Sequence, residues 1–132
     1  MLLDTDFLIW CIRGNPLALS WLDEFDEIHL SAITYIELIQ GTRSKKELVI
    51  LNKTLKAWDA HILQTNEIIS EWATQFIARY YHSHSLMLAD ALIGSTALWY
   101  RIPLVTANIK HFQVIDGLEI IPFMPYISET DK

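Results

Sequence analysis

Met1-Leu2-Leu3-Asp4-Thr5-Asp6-Phe7-Leu8-Ile9 sets a carboxylate directly behind an apolar run. Met1–Asp4 reads as a short buried strand. The apolar residues that follow, through Cys11, read as a helical turn. A carboxylate beside apolar neighbours is costly unless something offsets its charge. The same situation recurs twice: Glu37 lies in Thr34-Tyr35-Ile36-Glu37-Leu38, and Asp90 in Leu88-Ala89-Asp90-Ala91-Leu92-Ile93. Each acid stands at the edge of a predicted core element, so the three are expected to converge on one metal-binding pocket.

Outward from that stretch the elements alternate. Gly14-Asn15-Pro16 is a breaker, with Pro16 placed to open a helix. Leu17–Phe25 reads as that helix and Glu27–Leu30 as a strand. Ser31 is a candidate N-cap for a helix over Ala32–Gln40, which Gly41 could end. Lys45–Trp58 is helical, and Ala60–Leu63 is a candidate strand. Asn66–Tyr81 has Ile69, Trp72, Ala73, Phe76 and Tyr80 at helical spacing. Leu86–Tyr100 is a further helix. Pro103–Thr106 reads as a short strand with Pro103 first, where its missing donor matters least. Leu118–Ile121 reads as the last strand. This alternation predicts a single α/β domain over 1–132 with a mostly parallel sheet.

In open parallel sheets, sites form at the carboxyl ends of the strands, near the point where strand order reverses. Asp4 ends the first strand, and Asn108 follows the strand Leu104-Val105-Thr106 by two residues. Glu37 falls within two turns of the start of its helix. Asp90 is near the start of its own helix, where the positive dipole end favours a carboxylate. Asp90 shares a face with Ile93, Gly94 and Ala97, and the two small residues should let the helix approach the sheet closely. Glu37 shares a face with Ile33, Ile36 and Gly41, which predicts that it points inward. Three inward carboxylates repel one another, and divalent cations resolve the conflict. An all-oxygen ligand set suits Mg²⁺, with Mn²⁺ as a substitute, rather than Zn²⁺. Such a site suits phosphodiester hydrolysis.

The totals set the bounds. The 132 residues suffice for one domain, and 52% hydrophobic residues with mean hydropathy +0.22 give ample core material. Cys11 is the single cysteine. It cannot form an internal disulfide, which points to a reducing, cytoplasmic setting, and it reads as a small core residue. Asp4 and Asp6 interrupt the apolar opening, so it does not read as a signal peptide. The net charge of −6 argues against a general nucleic-acid footprint, yet five of the ten basic residues cluster as Arg43, Lys45, Lys46, Lys53 and Lys56. That cluster reads first as a solvated helix face. His82 and His84, two apart on a helix, do not form a zinc pair.

Taken together, the motifs resemble a family. Leu2-Leu3-Asp4-Thr5-Asp6-Phe7-Leu8-Ile9 resembles the opening motif of PIN-domain nucleases. Ser31-Ala32-Ile33-Thr34-Tyr35-Ile36-Glu37-Leu38-Ile39-Gln40-Gly41 resembles their second motif, with Ser, Thr, Glu and Gly at the expected spacing. Leu88–Ile93 is similar to their third motif, Val105–Phe112 to the fourth and Gly117–Pro122 to the closing strand. At this length the chain is most similar to the VapC toxins of toxin–antitoxin pairs. The resemblance implies a three-layer α/β/α fold, Mg²⁺-dependent endoribonuclease activity on RNA, a homodimer and inhibition by a VapB-like antitoxin. It assigns Asp4 and Asp90 as principal metal ligands and Glu37 as a metal-site acid acting directly or through water.

Where many family members carry an Asp at or after position 108, this segment offers Asn108, Lys110 and His111. Asn108 could contribute an amide oxygen, Asp6 could compensate for the missing charge, and Thr106 could supply a supporting hydroxyl. Two rivals stand beside this reading. One is a PIN-like module that binds RNA or protein without cutting. The other is a phosphatase, because Asp4-Thr5-Asp6 also resembles the nucleophile motif of haloacid-dehalogenase-like enzymes. That second rival lacks paired late acids and a cap-sized insertion, and it leaves Glu37 unexplained.

Overall fold

The computed structural model describes residues 1–125; residues 126–132 of the expected domain lie outside the described residues. In chain order the elements are β1 (Leu2–Leu3), α1 (Thr5–Ile12), α2 (Pro16–Glu24), β2 (His29–Ser31), α3 (Ala32–Gln40) and α4 (Lys45–Ala57). They continue with β3 (His61–Leu63), α5 (Glu67–His84), α6 (Leu88–Tyr100), β4 (Leu104–Thr106), α7 (Ile109–Phe112) and β5 (Ile120–Pro122). The sheet has the order β3-β2-β1-β4-β5, and every neighbouring pair is parallel. From β1 the chain winds outward through β2 and β3 on one side, then returns to β4 and β5 on the other. The reversal therefore lies between β1 and β4, the place where such sheets form a crevice.

Side chains alternate across this sheet, and the core divides accordingly. Leu3 and its neighbour Val105 belong to a cluster with Phe7, Leu8, Leu22, Leu51 and Phe123, covered by α1, α2 and α4. Leu2 and its neighbour Leu104 belong to a second cluster with Ala73, Ala91, Ile93, Ala97 and Phe112, covered by α5, α6 and α7. The result is the expected α/β/α layering. Phe7, fully buried, centres the first cluster: its ring lies edge-on to Phe123 at 4.9 Å, and Trp21 lies edge-on to Phe123 at 5.1 Å. Such aromatic pairs contribute about 0.5–1.5 kcal/mol beyond simple burial. Cys11 sits in the same cluster, 2% exposed, as a small core residue.

Three local expectations change. The α6 helix starts at Leu88 with Met87 in the cap position, whereas Ser85 closes α5 in a left-handed conformation, φ 54°. The short helix α7 was not expected, because four residues carry no readable period. Ala97 of the small face packs in one cluster with Leu2 and Leu104 of the strands, but Gly94 faces another segment: a Cβ there would meet Ile115 Cδ1 at 2.6 Å, with Leu118 and Phe112 next. The close approach is therefore to the segment after α7. Among the described residues, no helix is long and apolar enough to cross a membrane.

Candidate functional site

Asp4 stands between β1 and α1, beside the β1–β4 reversal, and is only 4% exposed. Its backbone N–H donates to the Val105 carbonyl at 2.9 Å, which carries the sheet ladder up to the acid. Thr106, the last residue of β4, donates its hydroxyl to Asp4 Oδ2 at 2.7 Å. The same hydroxyl oxygen accepts the Asn108 N–H at 2.9 Å. Thr106 thus sits between the first acid and the start of the next segment. Asn108 contributes through its backbone, and its side chain makes no cap for α7.

Glu37 is reached through hydroxyls. Thr5 donates its Oγ1 hydrogen toward Glu37 Oε1 at 2.7 Å and lies 3.0 Å from Thr34 Oγ1. Ser31 Oγ in turn lies 3.3 Å from Thr34 Oγ1 and accepts the Thr34 N–H at 3.0 Å. Ser31 is therefore both the α3 cap that the sequence suggests and the base of a hydroxyl chain. Because Thr5 follows Asp4 directly, this chain ties the first acid to the second. Glu37 turns inward as expected, but Ile36 on the predicted common face is 50% exposed.

Asp90 lies in the first turn of α6, half-buried, with its Oδ2 3.4 Å from His111 Nδ1. Burial raises its pKa above the ordinary carboxylate value, the nearby His111 opposes that rise, and the charge of Glu37 adds to it. The Asp4 carboxyl is pushed up to about 8, chiefly by burial and then by the Asp6 charge, against the Thr106 hydrogen bond. Asp6 lies closer to the chemistry than its sequence position suggests. Its Oδ1 accepts the Ala107 N–H at 3.4 Å, and its Oδ2 is buried without a hydrogen-bond partner.

The three acids thus meet at one edge of the sheet in linked pairs. Asp4 joins Asp6, Asp4 joins Glu37 through Thr5, and Glu37 joins Asp90 by charge. They do not close around a single point: among the described residues, no group of three or more His, Cys, Asp or Glu side chains forms a ready-made ion cage. The donor chemistry nonetheless fits an oxygen-seeking dication. The buried Asp4 faces the charge of the partly exposed Asp6, and one Asp6 oxygen is itself buried. Beside Glu37 opens a cavity of about 480 Å³ between α1, α3 and α4, whose lining includes the apolar Ile9, Ile12, Leu38 and Ile50 and the charged Arg13 and Glu47. Sequence reading did not single out Thr5 as a relay or His111 as the neighbour of Asp90. The Ser31-x-x-Thr34-x-x-Glu37 spacing was the available signal for the first, and nothing local signals the second.

Carboxylates and hydroxyls thus gather at the strand reversal of a parallel α/β/α sheet, an acidic site on a nucleotide-binding type of architecture. The chain belongs to the PIN domain family, whose model matches residues 1–118. It is 30% identical over 125 residues to ribonuclease VapC10 of Mycobacterium tuberculosis, covering 90% of each chain. A solved toxin–antitoxin complex from Klebsiella pneumoniae contains a chain similar at a TM-score of 0.73 and 28% identity, over 95% of this chain and 97% of that one. The structure of VapBC-1 from nontypeable Haemophilus influenzae is similar at a TM-score of 0.76 and 25% identity, over 92% and 96%.

Proposed function

We propose that this protein is a divalent-metal-dependent endoribonuclease, acting in the cytoplasm as the VapC-like toxin of a toxin–antitoxin pair. The observation that carries the reading is the buried Asp4, fixed by Thr106 at the sheet reversal and tied through Thr5 to Glu37. Asp4 and Asp90 would hold Mg²⁺, or Mn²⁺ in its place, with Glu37 as the third metal-site acid. When bound, the ion supplies Lewis acidity to the phosphate and acidifies its water. The open arrangement of the acids agrees with Mg²⁺, which commonly takes one or two carboxylates and completes its shell with waters and substrate phosphate.

The residues divide the remaining work. Glu37, steadied by Thr5, orients the attacking water and accepts its proton. Thr106 keeps one Asp4 oxygen engaged and so limits the rotation of that carboxylate. Asp6 adds negative charge and a buried oxygen next to Asp4. Asn108 belongs to the segment that carries Thr106 rather than to the ligands.

A VapB-like antitoxin is the partner this reading expects, and the cavity beside Glu37 supports it, because a chain seated there would lie against a catalytic acid. We further read the toxin as a homodimer, as the family resemblance implies. The test is cleavage of total bacterial RNA by the purified protein with Mg²⁺ or Mn²⁺. Cutting that disappears in EDTA and in Asp4→Asn supports the nuclease. A protein that binds RNA but never cuts it, in either metal, supports the binding-only module instead.

A further inference from the structure

The segment from β4 through α7 touches two of the three acids, one through a hydroxyl hydrogen bond and the other through a close imidazole contact. At its start, Thr106 donates to Asp4 Oδ2 at 2.7 Å. At its end, His111 brings Nδ1 to 3.4 Å from Asp90 Oδ2. The carboxylate can only accept, so the neutral imidazole that meets it carries its hydrogen on Nδ1. The His111 side chain is 57% exposed against 18% for Asp90, so the ring forms the solvent-side wall of that acid.

The placement of His111 is fixed by packing. Its neighbour Phe112 is fully buried, and three residues further Ile115 is 3% exposed. Both reach the glycine one turn beyond Asp90: a Cβ on Gly94 would lie 2.6 Å from Ile115 Cδ1 and 3.8 Å from Phe112 Cδ1. The absence of a side chain at Gly94 lets α7 settle beside the first turn of α6. His111 is thereby delivered to the acid 21 residues before it, which no local pattern could announce.

We propose that His111 is a positioning residue: its Nδ1–H holds one oxygen of Asp90, as Thr106 holds one of Asp4, so that segment 106–112 sets both carboxylates. This rests on the reading of Asp90 as a residue that holds a divalent cation. Hydrogen bonds to ligating side chains fix their direction, and removing such a partner typically costs about 10–100-fold in metal affinity or activity. The ring does not act on the phosphate in this account, so substrate binding should be spared.

The test compares His111→Ala, His111→Asn and His111→Gln with the unaltered protein. Mn²⁺ affinity is read from the free-ion EPR signal, kcat and KM from cleavage of one RNA, and folding from the melting temperature. His111→Ala should weaken Mn²⁺ binding and lower kcat about 10-fold or more, with KM near that of the parent. His111→Asn should recover most of the loss, because its amide nitrogen can stand where Nδ1 stands. His111→Gln, which imitates the other ring nitrogen, should not. Parent-like Mn²⁺ affinity and kcat in a folded His111→Ala would overturn the inference, as would rescue by Gln rather than Asn. If Asp90→Asn binds Mn²⁺ and cuts as well as the parent, the reading of Asp90 itself fails and the role of His111 falls with it.

Discussion

The helices of this protein start in two different ways. α2, α3, α4 and α5 each begin beneath a polar side chain: Asn15, Ser31, Ser44 and Asn66 accept the backbone N–H three residues on. α1 and α6 begin at Asp4 and Met87 with no side-chain cap. A good cap stabilises a helix by about 1 kcal/mol. The two longer helices that forgo it are the ones that carry Asp4 and Asp90. At α1 the residue in the cap position is chemically suited to capping, yet its Oδ2 engages Thr106 across the sheet instead. At α6, Asp90 instead reaches back to the Met87 backbone N–H. Local capping has thus been given up at α1, where the carboxylate is engaged elsewhere. That is where consistency between local and global preference is expected to fail in a functional protein.

Asp4→Asn gives the sharpest break of this contrast. Asparagine caps helices as well as aspartate does, so a purely structural Asp4 would tolerate the change. If the acid serves the site, cleavage of RNA should fall by about 10²–10³-fold, the cost typical of losing one electrostatic group at a reacting centre. The folded state should survive, as far-ultraviolet circular dichroism would show. Unchanged cleavage would place Asp4 with the capped helices and remove the distinction.

A smaller effect tests the same contrast through pH. Asp4 has a folded pKa of about 8, raised above its ordinary 3.8 by burial and by Asp6. The folded state therefore holds a proton that the unfolded chain releases between those values. The stabilisation is fully present below the unfolded pKa and is lost as pH rises toward 8. Asp90 shifts in the same direction. For metal-free protein, the melting temperature relative to Asp4→Asn should fall between pH 5 and pH 8. Mn²⁺ should flatten that trend, because a cation favours the ionised acid. A flat difference without metal would mean that Asp4 is solvated and that its burial is not what distinguishes α1.

The parallel α/β architecture and the three acids are legible in the sequence because each has a local cause. Leu2-Leu3 before Asp4, Pro16 at the head of α2 and Ser31 before α3 all announce their roles within a few residues. What is not legible depends on distant packing. The Thr5–Glu37 bond spans 32 positions and the Thr106–Asp4 bond spans 102. His111 sits on a four-residue helix whose place is set by Gly94 and Ile115. The small face of α6 was readable as a close contact, but its partner was not, since spacing on one helix says nothing about what approaches it. Asp6 looks auxiliary in sequence. Only the fold shows that one of its oxygens is buried without a partner.

α6 has no cap from Met87 itself, so packing must help to locate it. The Gly94–Ile115 approach is the candidate, and Gly94→Ala probes it with two opposing terms. Alanine in a helix interior gains about 1 kcal/mol over glycine, while overfilling a close contact costs about 1–3 kcal/mol. The net loss should be about 1 kcal/mol, read from urea unfolding. The conflicting atom is Ile115 Cδ1, which Ile115→Val removes. Alone, that substitution costs about 0.5–1.5 kcal/mol. In the double variant the new Cβ takes the vacated space, so the two losses should not add, leaving a coupling of about 0.5–3 kcal/mol for residues in contact. Additive losses would mean that α7 yields to the new methyl group, and α6 would then owe its position to α5 instead.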